Sequence, residues 1–403
     1  MITGRDFVIL SDDYDGLPTS AIHLFRRLGR GNRVFWFNTL SRLPRPSLAD
    51  MGKVLRTVTR WALRRRAPAR DIPDGVQVVN PIMVPWFKPL VRRFNRFSLL
   101  RRYRKLCARY AITDPIVLTT FPHGVDFLKA VPEATRIYYC VDDFLDYPGV
   151  NRADWARMEA ELLESVDGLI VTSRHLAYKH TTACPLLHLP HGVDFEHFQT
   201  GPAGAPVPEL EALPRPIVGF FGYISEWVDL DLIASLSRLF PDVSFVLLGR
   251  GDVGMQRLAG LPNVHRLGFV PYTDLPRYAR YFDVGLIPFV LNQLTLAVNP
   301  VKLMEYLALG LPVLSTRLPE LESIDGPIRL AVTYDEFATG LREVLALLGP
   351  RTSVQARAVA RRNTWDQRVE QLSAFLEQFR SRLRVSAGSA NPQAGIEVMG
   401  GTL

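Results

Sequence analysis

Short apolar runs separated by helical patterns organise the first half of the chain. The runs fall at Phe7–Ser11, Arg33–Phe37, Val76–Asn80, Ile116–Thr119, Ile137–Val141, Gly168–Thr172 and Leu186–Leu189. Helical stretches lie between them, at Thr19–Gly29, Leu90–Tyr110, Arg152–Ser165 and Arg174–Thr181. This alternation predicts βαβ units and a parallel sheet.

The pattern breaks at Gly201-Pro-Ala-Gly-Ala-Pro-Val-Pro208, followed by Pro214 and Pro216, which continues neither a strand nor a helix and reads as a linker. Beyond it the alternation restarts. Strands are expected at Ile217–Phe221, Val243–Leu248, Val264–Leu267, Val284–Ile287, Val313–Thr316 and Ile328–Ala331, with helices at Leu230–Leu239, Thr273–Tyr281 and Val301–Leu309. Helices dominate from Tyr334 to about Leu383, and a Gly-, Ser- and Ala-rich tail over 385–403 is expected to be disordered. The expected fold class is α/β, with two Rossmann-like domains, 1–200 and 217–363, joined by a linker over 201–216. A C-terminal helix over 364–384 is expected to return to the first domain. Ligands of open parallel sheets sit at strand ends, so a cleft between two such domains is the expected binding region.

Composition narrows the class. With 403 residues, 47% hydrophobic and 22% charged, the chain has the makings of two soluble globular domains. No apolar stretch approaches the roughly 18–20 residues of a spanning helix. The start, Met1 to Asp6, runs straight into a strand-like segment and lacks the pattern of a secretory signal. Cys107, Cys140 and Cys184 are widely spaced, which argues for a reducing compartment and against a disulfide framework or a zinc site. A cytoplasmic location is expected. The net charge of +8 conceals a local excess: Met51 to Thr113 holds 16 Lys or Arg against Asp71 and Asp74, a balance of +14, leaving −6 elsewhere.

The most informative stretch is Val264-His-Arg-Leu-Gly-Phe-Val-Pro-Tyr-Thr-Asp-Leu-Pro276, followed by Asp283–Phe289 and Asn299-Pro-Val-Lys-Leu-Met-Glu-Tyr-Leu-Ala-Leu-Gly-Leu-Pro-Val-Leu-Ser315. A buried strand stops at Pro288, its loop feeds a helix opened by Pro300, and Gly310 ends that helix. Free N–H groups at a helix start make an anion site, well placed for a diphosphate. Lys302 and Glu305, three apart, share the face of the first turn. They are either an exposed pair worth about 0.3–0.5 kcal/mol or a phosphate cation beside a carboxylate that accepts ribose hydroxyls.

This block resembles the donor-binding region of retaining GT-B glycosyltransferases of family 4, in the branch similar to teichuronic-acid and exopolysaccharide glycosyltransferases. Tyr139-Cys-Val-Asp-Asp-Phe144, His191-Gly-Val-Asp194 and Val246-Leu-Leu-Gly-Arg-Gly251 extend the resemblance over residues 5–380. It implies a GT-B fold, a first domain for the acceptor, a second for a nucleotide-diphosphate sugar, and Glu305 as the ribose carboxylate. Two departures stand out. The first of the family's two glutamates falls at Ala297, and its Arg and Lys after the first strand of the second domain are replaced by Gly222-Tyr-Ile-Ser-Glu-Trp-Val-Asp229. Lys302 is the candidate replacement charge.

The remaining candidates divide between ligand contact and ordinary structure. Gly16, in the loop Ser11–Ser20, is a close-approach position facing the transferred sugar or a plain turn residue, and Thr19 or Ser20 caps the helix that follows. The loop lacks GxGxxG, which leaves dinucleotide binding unsupported. His191 is a sugar or phosphate contact or a buried structural histidine; His123 is a weaker candidate of the same kind. Asp142 and Asp143 point to opposite faces of a strand end, which suits capping better than a paired acid and nucleophile. Arg250, flanked by glycines, pairs with a diphosphate or lies in an exposed turn. The Phe269–Tyr272 segment, with Val270, offers a shelf to a nucleobase, while Gly222 and Asn299 complete the donor set. His188, His191 and His197 make no metal set, and no metal is expected.

Two basic stretches, Lys53–Arg70 and Trp86–Lys105, carry the excess charge, and the second interleaves arginines with aromatic and leucine residues. Such a helix suits anionic lipid headgroups, at about 1 kcal/mol per basic residue. A solvated face and nucleic-acid binding are the rivals, and no nucleic-acid reading module accompanies it. The sequence therefore predicts a metal-independent glycosyltransferase acting on a lipid-linked or polysaccharide acceptor, peripheral on the inner face of the plasma membrane. A GT-B nucleotide-sugar epimerase and a non-catalytic assembly subunit are the alternatives.

Overall fold

The computed structural model describes residues 1–39, 72–84, 86, 88–147, 150–200, 205–251 and 253–386, the last seven by backbone alone. Lys53–Arg70 and the tail beyond 386 lie outside the described residues. The chain divides into two compact units, Met1–Pro190 with Arg368 onward, and His191–Gln367.

The first unit is built on a seven-stranded parallel sheet in the order β3-β2-β1-β4-β5-β6-β7. Its strands are β1 (Asp6–Ser11), β2 (Arg33–Asn38), β3 (Val76–Val79), β4 (Ile116–Thr119), β5 (Thr135–Cys140), β6 (Gly168–Val171) and β7 (Leu186–His188). β4, β6 and all of β1 after Asp6 are buried, as expected of strands covered on both faces. The covering helices include α1 (Ser20–Leu28), α2 (Pro89–Tyr110), α3 (Arg152–Leu163) and α4 (Arg174–Lys179). α2 turns Asn95, Leu99, Tyr103 and Leu106 inward, a spacing of three and four that defines one helix face. Asn95 fixes its approach: its side chain accepts from the Val84 N–H at 2.8 Å and donates to the Val84 carbonyl at 2.9 Å. Leu90, Phe94 and Phe97 are left exposed.

The second unit repeats the plan with six parallel strands in the order β10-β9-β8-β11-β12-β13. These are β8 (Ile217–Phe221), β9 (Ser244–Leu248), β10 (Val264–Gly268), β11 (Val284–Ile287), β12 (Val313–Thr316) and β13 (Ile328–Ala331). The order reverses between β8 and β11, and the loops beyond their carboxyl ends define the switch point where such sheets take ligands. The unit begins with His191 rather than at the Pro-rich stretch, because Val193, Phe195 and Phe198 are part of its hydrophobic core. α5 (Phe195–Thr200) carries two of these. The stretch from 205 to 216 also packs here, since α6 (Pro208–Glu211) buries Leu210, and Val207 beside it is buried too. α7 (Leu230–Leu239) is capped by Asp229, which accepts from the Leu232 N–H at 2.8 Å. Between β11 and β12 lie α8 (Gln293–Leu296) and α9 (Val301–Leu309). The last helix, α10 (Trp365–Ser386), begins in the second unit and passes into the first at Arg368.

Among the described residues no helix is long and apolar enough to cross a membrane.

Candidate functional site

The second unit gathers most of the candidate residues at the carboxyl ends of its central strands. α9 has the expected limits, with Pro300 at its N-cap, and no side chain caps it. Gly310, at φ +87°, closes the helix in the left-handed region. Tyr306 pins α9 to the sheet: its hydroxyl donates to the Leu286 carbonyl at 3.3 Å and accepts from the Phe221 N–H at 3.2 Å. The first turn is thereby held against the ends of β8 and β11.

Lys302 and Glu305 lie on that turn. Glu305 is 7% exposed, so the pair is no solvated surface ion pair. Burial pushes the Glu305 carboxyl up to about 7, and the nearby Lys302 charge offsets only part of that. Burial likewise lowers the Lys302 ammonium to about 8, against the pull of Glu305. The ammonium stands 5.4 Å from the Phe220 ring centre and 4.8 Å from that of Phe289, cation–π contacts that position it. Neither aromatic figured among the sequence candidates. Their signal was slight: each ends an apolar strand pattern, where an aromatic is ordinarily read as core.

Gly222 follows β8 at φ +140°, and a Cβ there would stand 3.2 Å from Lys302 Cε and 3.3 Å from its Nζ. Gly222 thus leaves Lys302 its space. Behind it, a Cβ on Gly249 would meet the Gly222 carbonyl oxygen at 1.8 Å. The two strand-end loops therefore run backbone against backbone, the Gly222 N–H donating to the Leu248 carbonyl at 2.9 Å and the Ile224 N–H to that of Arg250 at 2.7 Å. Arg250 is exposed, its guanidinium 3.7 Å over the Phe269 ring. Val270, in the same loop, is half-buried against the unit's core.

His191 joins this set through Asn299, whose Oδ1 accepts from the His191 N–H at 3.3 Å just ahead of α9. The His191 ring is buried, 6.3 Å from that of Trp365. Gly192 lets the segment pass Thr364 and Trp365, and Val193 exchanges backbone hydrogen bonds with Asn363 and Trp365 at 2.9 and 3.1 Å. Ala297, where the resembling family places a glutamate, caps α8 and is fully buried.

The other candidates lie elsewhere. Gly16, in the first unit, is exposed in a turn after β1, its N–H donating to the Asp13 carbonyl at 2.9 Å. Thr19 occupies the N-cap of α1 without a side-chain cap bond. Asp143 accepts from the Leu145 N–H at 3.3 Å, and Asp142 from the Tyr147 hydroxyl at 2.6 Å. Both do loop work. His123 is buried against Phe121 and Trp155, which lowers its imidazole to about 4. His197 stacks on Tyr272 at 4.8 Å.

Comparison with known proteins meets this geometry. Residues 215–347, which span β8 to β13 and the whole donor set except His191, match the family described as Glycosyl transferases group 1. TuaH of Bacillus subtilis (strain 168), named for teichuronic acid biosynthesis, is 28% identical over 270 residues, covering 61% of this chain and 68% of TuaH. Among solved structures, Anabaena HepE in complex with UDP and glucose is similar at a TM-score of 0.65 and 15% identity, over 93% of this chain and 100% of HepE. Sucrose-phosphate synthase from Thermosynechococcus elongatus is similar at 0.64 and 15%, over 95% and 100%. Residues 215–347 are accordingly a group 1 glycosyl transferase domain, and the chain that carries them is a glycosyltransferase of the GT-B fold.

Proposed function

We propose that the chain moves a sugar from a nucleotide-diphosphate sugar to a lipid-linked or polysaccharide acceptor in cell-surface glycan biosynthesis, with retention at the anomeric carbon. The Lys302–Glu305 pair at the uncapped start of α9, its carboxyl buried and its ammonium half-buried, carries the donor reading. A buried carboxyl beside a half-buried ammonium lies there at a switch point, a costly arrangement that a bound ligand offsets. The N–H groups of the first turn and Lys302 take the diphosphate and stabilise it as it leaves. Glu305 accepts the ribose hydroxyls. Gly222 admits the phosphates, Arg250 pairs with the diphosphate, and the Val270 segment borders the base. Asn299 positions His191 as a contact to sugar or phosphate. In the first unit, the turn at Gly16 is a close-approach position for the transferred sugar. The departing phosphate takes the acceptor proton, and positive charge from Lys302 and the helix start lets the reaction run without a metal. HepE was solved with UDP-glucose and TuaH is named for teichuronic acid biosynthesis, which support this donor class and this acceptor class.

The enzyme works at the inner face of the plasma membrane, held there by α2. Leu90, Phe94 and Phe97 recur at helical spacing on its exposed face, 81%, 44% and 61% exposed. The exposed Arg93, Arg96, Arg101, Arg102, Arg104 and Lys105 surround them, a composition suited to anionic headgroups.

The test is turnover of a panel of nucleotide sugars with and without membrane lipid extract. Release of nucleoside diphosphate that requires the extract is the expected outcome. Interconversion of the free donor would assign an epimerase instead. Absence of donor binding would assign a non-catalytic subunit, the reading favoured by Ala297 and the missing Arg–Lys pair.

A further inference from the structure

A separate cluster of ionisable side chains lies inside the first unit. Tyr138 and Cys140, alternate residues of β5 and so on one face, meet Glu159 of α3 and His180 at the C-terminal end of α4. Cys140, Glu159 and His180 are 0%, 4% and 5% exposed. Cys140 Sγ is 3.6 Å from His180 Nε2, which is 3.7 Å from Glu159 Oε1. One ligand atom from each of the three lies within 4.8 Å of the other two. A tetrahedral zinc ion, with bonds of about 2.3 Å to sulfur and about 2.0–2.2 Å to nitrogen and oxygen, holds such atoms roughly 3.3–3.6 Å apart. The two separations from His180 Nε2 need closing by at most a few tenths of an ångström, and the sulfur and carboxylate oxygen, within 4.8 Å of each other, close further by side-chain rotation.

The surroundings supply the rest of a metal site. Glu159 Oε1 accepts from the Tyr138 hydroxyl at 2.9 Å, which orients the carboxylate. Lys179 Nζ stands 2.5 Å from Asp143 Oδ1 and 3.8 Å from Glu159 Oε2, so its charge is matched first by Asp143. The 3.7 Å from imidazole to carboxylate is too long for a hydrogen bond. A divalent ion balances one thiolate and one carboxylate, and neutral imidazole is the form that ligates.

We propose that Cys140, Glu159 and His180 form a buried site for a borderline-soft divalent ion, zinc foremost, which ties β5 to α3 and to the end of α4. The ion binds the His180 Nε2 lone pair, a Glu159 oxygen and the Cys140 sulfur, whose proton leaves to solvent; water completes the coordination. The site is structural and independent of the donor assignment. Sequence spacing argues against zinc because the ligands stand 19 to 40 positions apart and no second cysteine is near. Folding brings them together.

Full-length protein without a histidine tag, stripped with chelator, is titrated with cobalt(II) and then zinc. The expected result is one cobalt per chain with a thiolate-to-cobalt charge-transfer band, bleached by zinc. Zinc should also raise the melting temperature of the wild type. Cys140→Ser loses the band, the Cys107→Ser/Cys184→Ser double variant keeps it, and His180→Gln and Glu159→Gln each weaken cobalt affinity at least tenfold. A wild type without the band, a band that survives Cys140→Ser, or one lost in the double variant overturns the proposal. The double variant keeps all three ligands, so its band assigns the thiolate to Cys140 whether or not Cys140→Ser folds.

Discussion

Replacing Glu305 with glutamine should push stability and donor binding in opposite directions. In the folded protein burial raises this carboxyl from an ordinary 4.5 to about 7. An acid raised in this way binds its proton more tightly when folded, so the folded state loses stability as pH rises from about 4.5 to about 7 and carries the full deficit above. A shift of that size, in which the attraction of Lys302 is already included, corresponds to roughly 3 kcal/mol gained on substitution. For a unit of this size that is on the order of 6–12 °C in melting temperature. The gain should be present at pH 8 and largely absent at pH 4.5, where the wild-type carboxyl is protonated in the folded state. Differential scanning calorimetry of both proteins at the two pH values measures it. Glutamine loses the charge proposed to receive two ribose hydroxyls, and with charged hydrogen bonds worth about 1.5–3 kcal/mol each nucleoside diphosphate affinity should fall at least tenfold. An equal stability change at both pH values, or a loss at pH 8, would refute the burial argument.

Three further outcomes follow from the same geometry. Nucleoside diphosphate affinity of the wild type should weaken above pH of about 8 as Lys302, lowered by burial, gives up its proton; Lys302→Arg should keep its affinity there, as titration calorimetry across pH 7–9.5 would show. Gly249→Ala should destabilise the second unit by several kcal/mol, because its Cβ would stand 1.8 Å from the Gly222 carbonyl oxygen; an unchanged melting temperature would refute the close packing of these loops. Leu90→Ser/Phe94→Ser/Phe97→Ser should abolish sedimentation with anionic vesicles in moderate salt while leaving nucleotide affinity intact, and full retention on vesicles would remove α2 from the membrane.

The strands were legible almost residue by residue, since a parallel sheet covered on both faces writes itself as short, wholly apolar runs. Val284–Ile287 and Val313–Thr316 were read at their observed limits. The unit boundary was not, because a Pro-rich stretch resembles a tether whether or not Val207 and Leu210 tuck into a core. Lys302 and Glu305 were visible as a helical pair, yet spacing could not tell exposed from buried; only the packing of Tyr306 and the aromatic flanks settles that. Cys140, Glu159 and His180 share no sequence motif at all. Their proximity depends on where two helices cross one strand.

The central claim, that the start of α9 holds a nucleoside diphosphate, is tested most directly by titrating a set of nucleoside diphosphates into the wild type and into Glu305→Ala at pH 7.5. The account predicts that one nucleotide binds the wild type with a heat that is lost, or weakened at least a hundredfold, in the variant. Equal affinity of the two proteins for that nucleotide would contradict it.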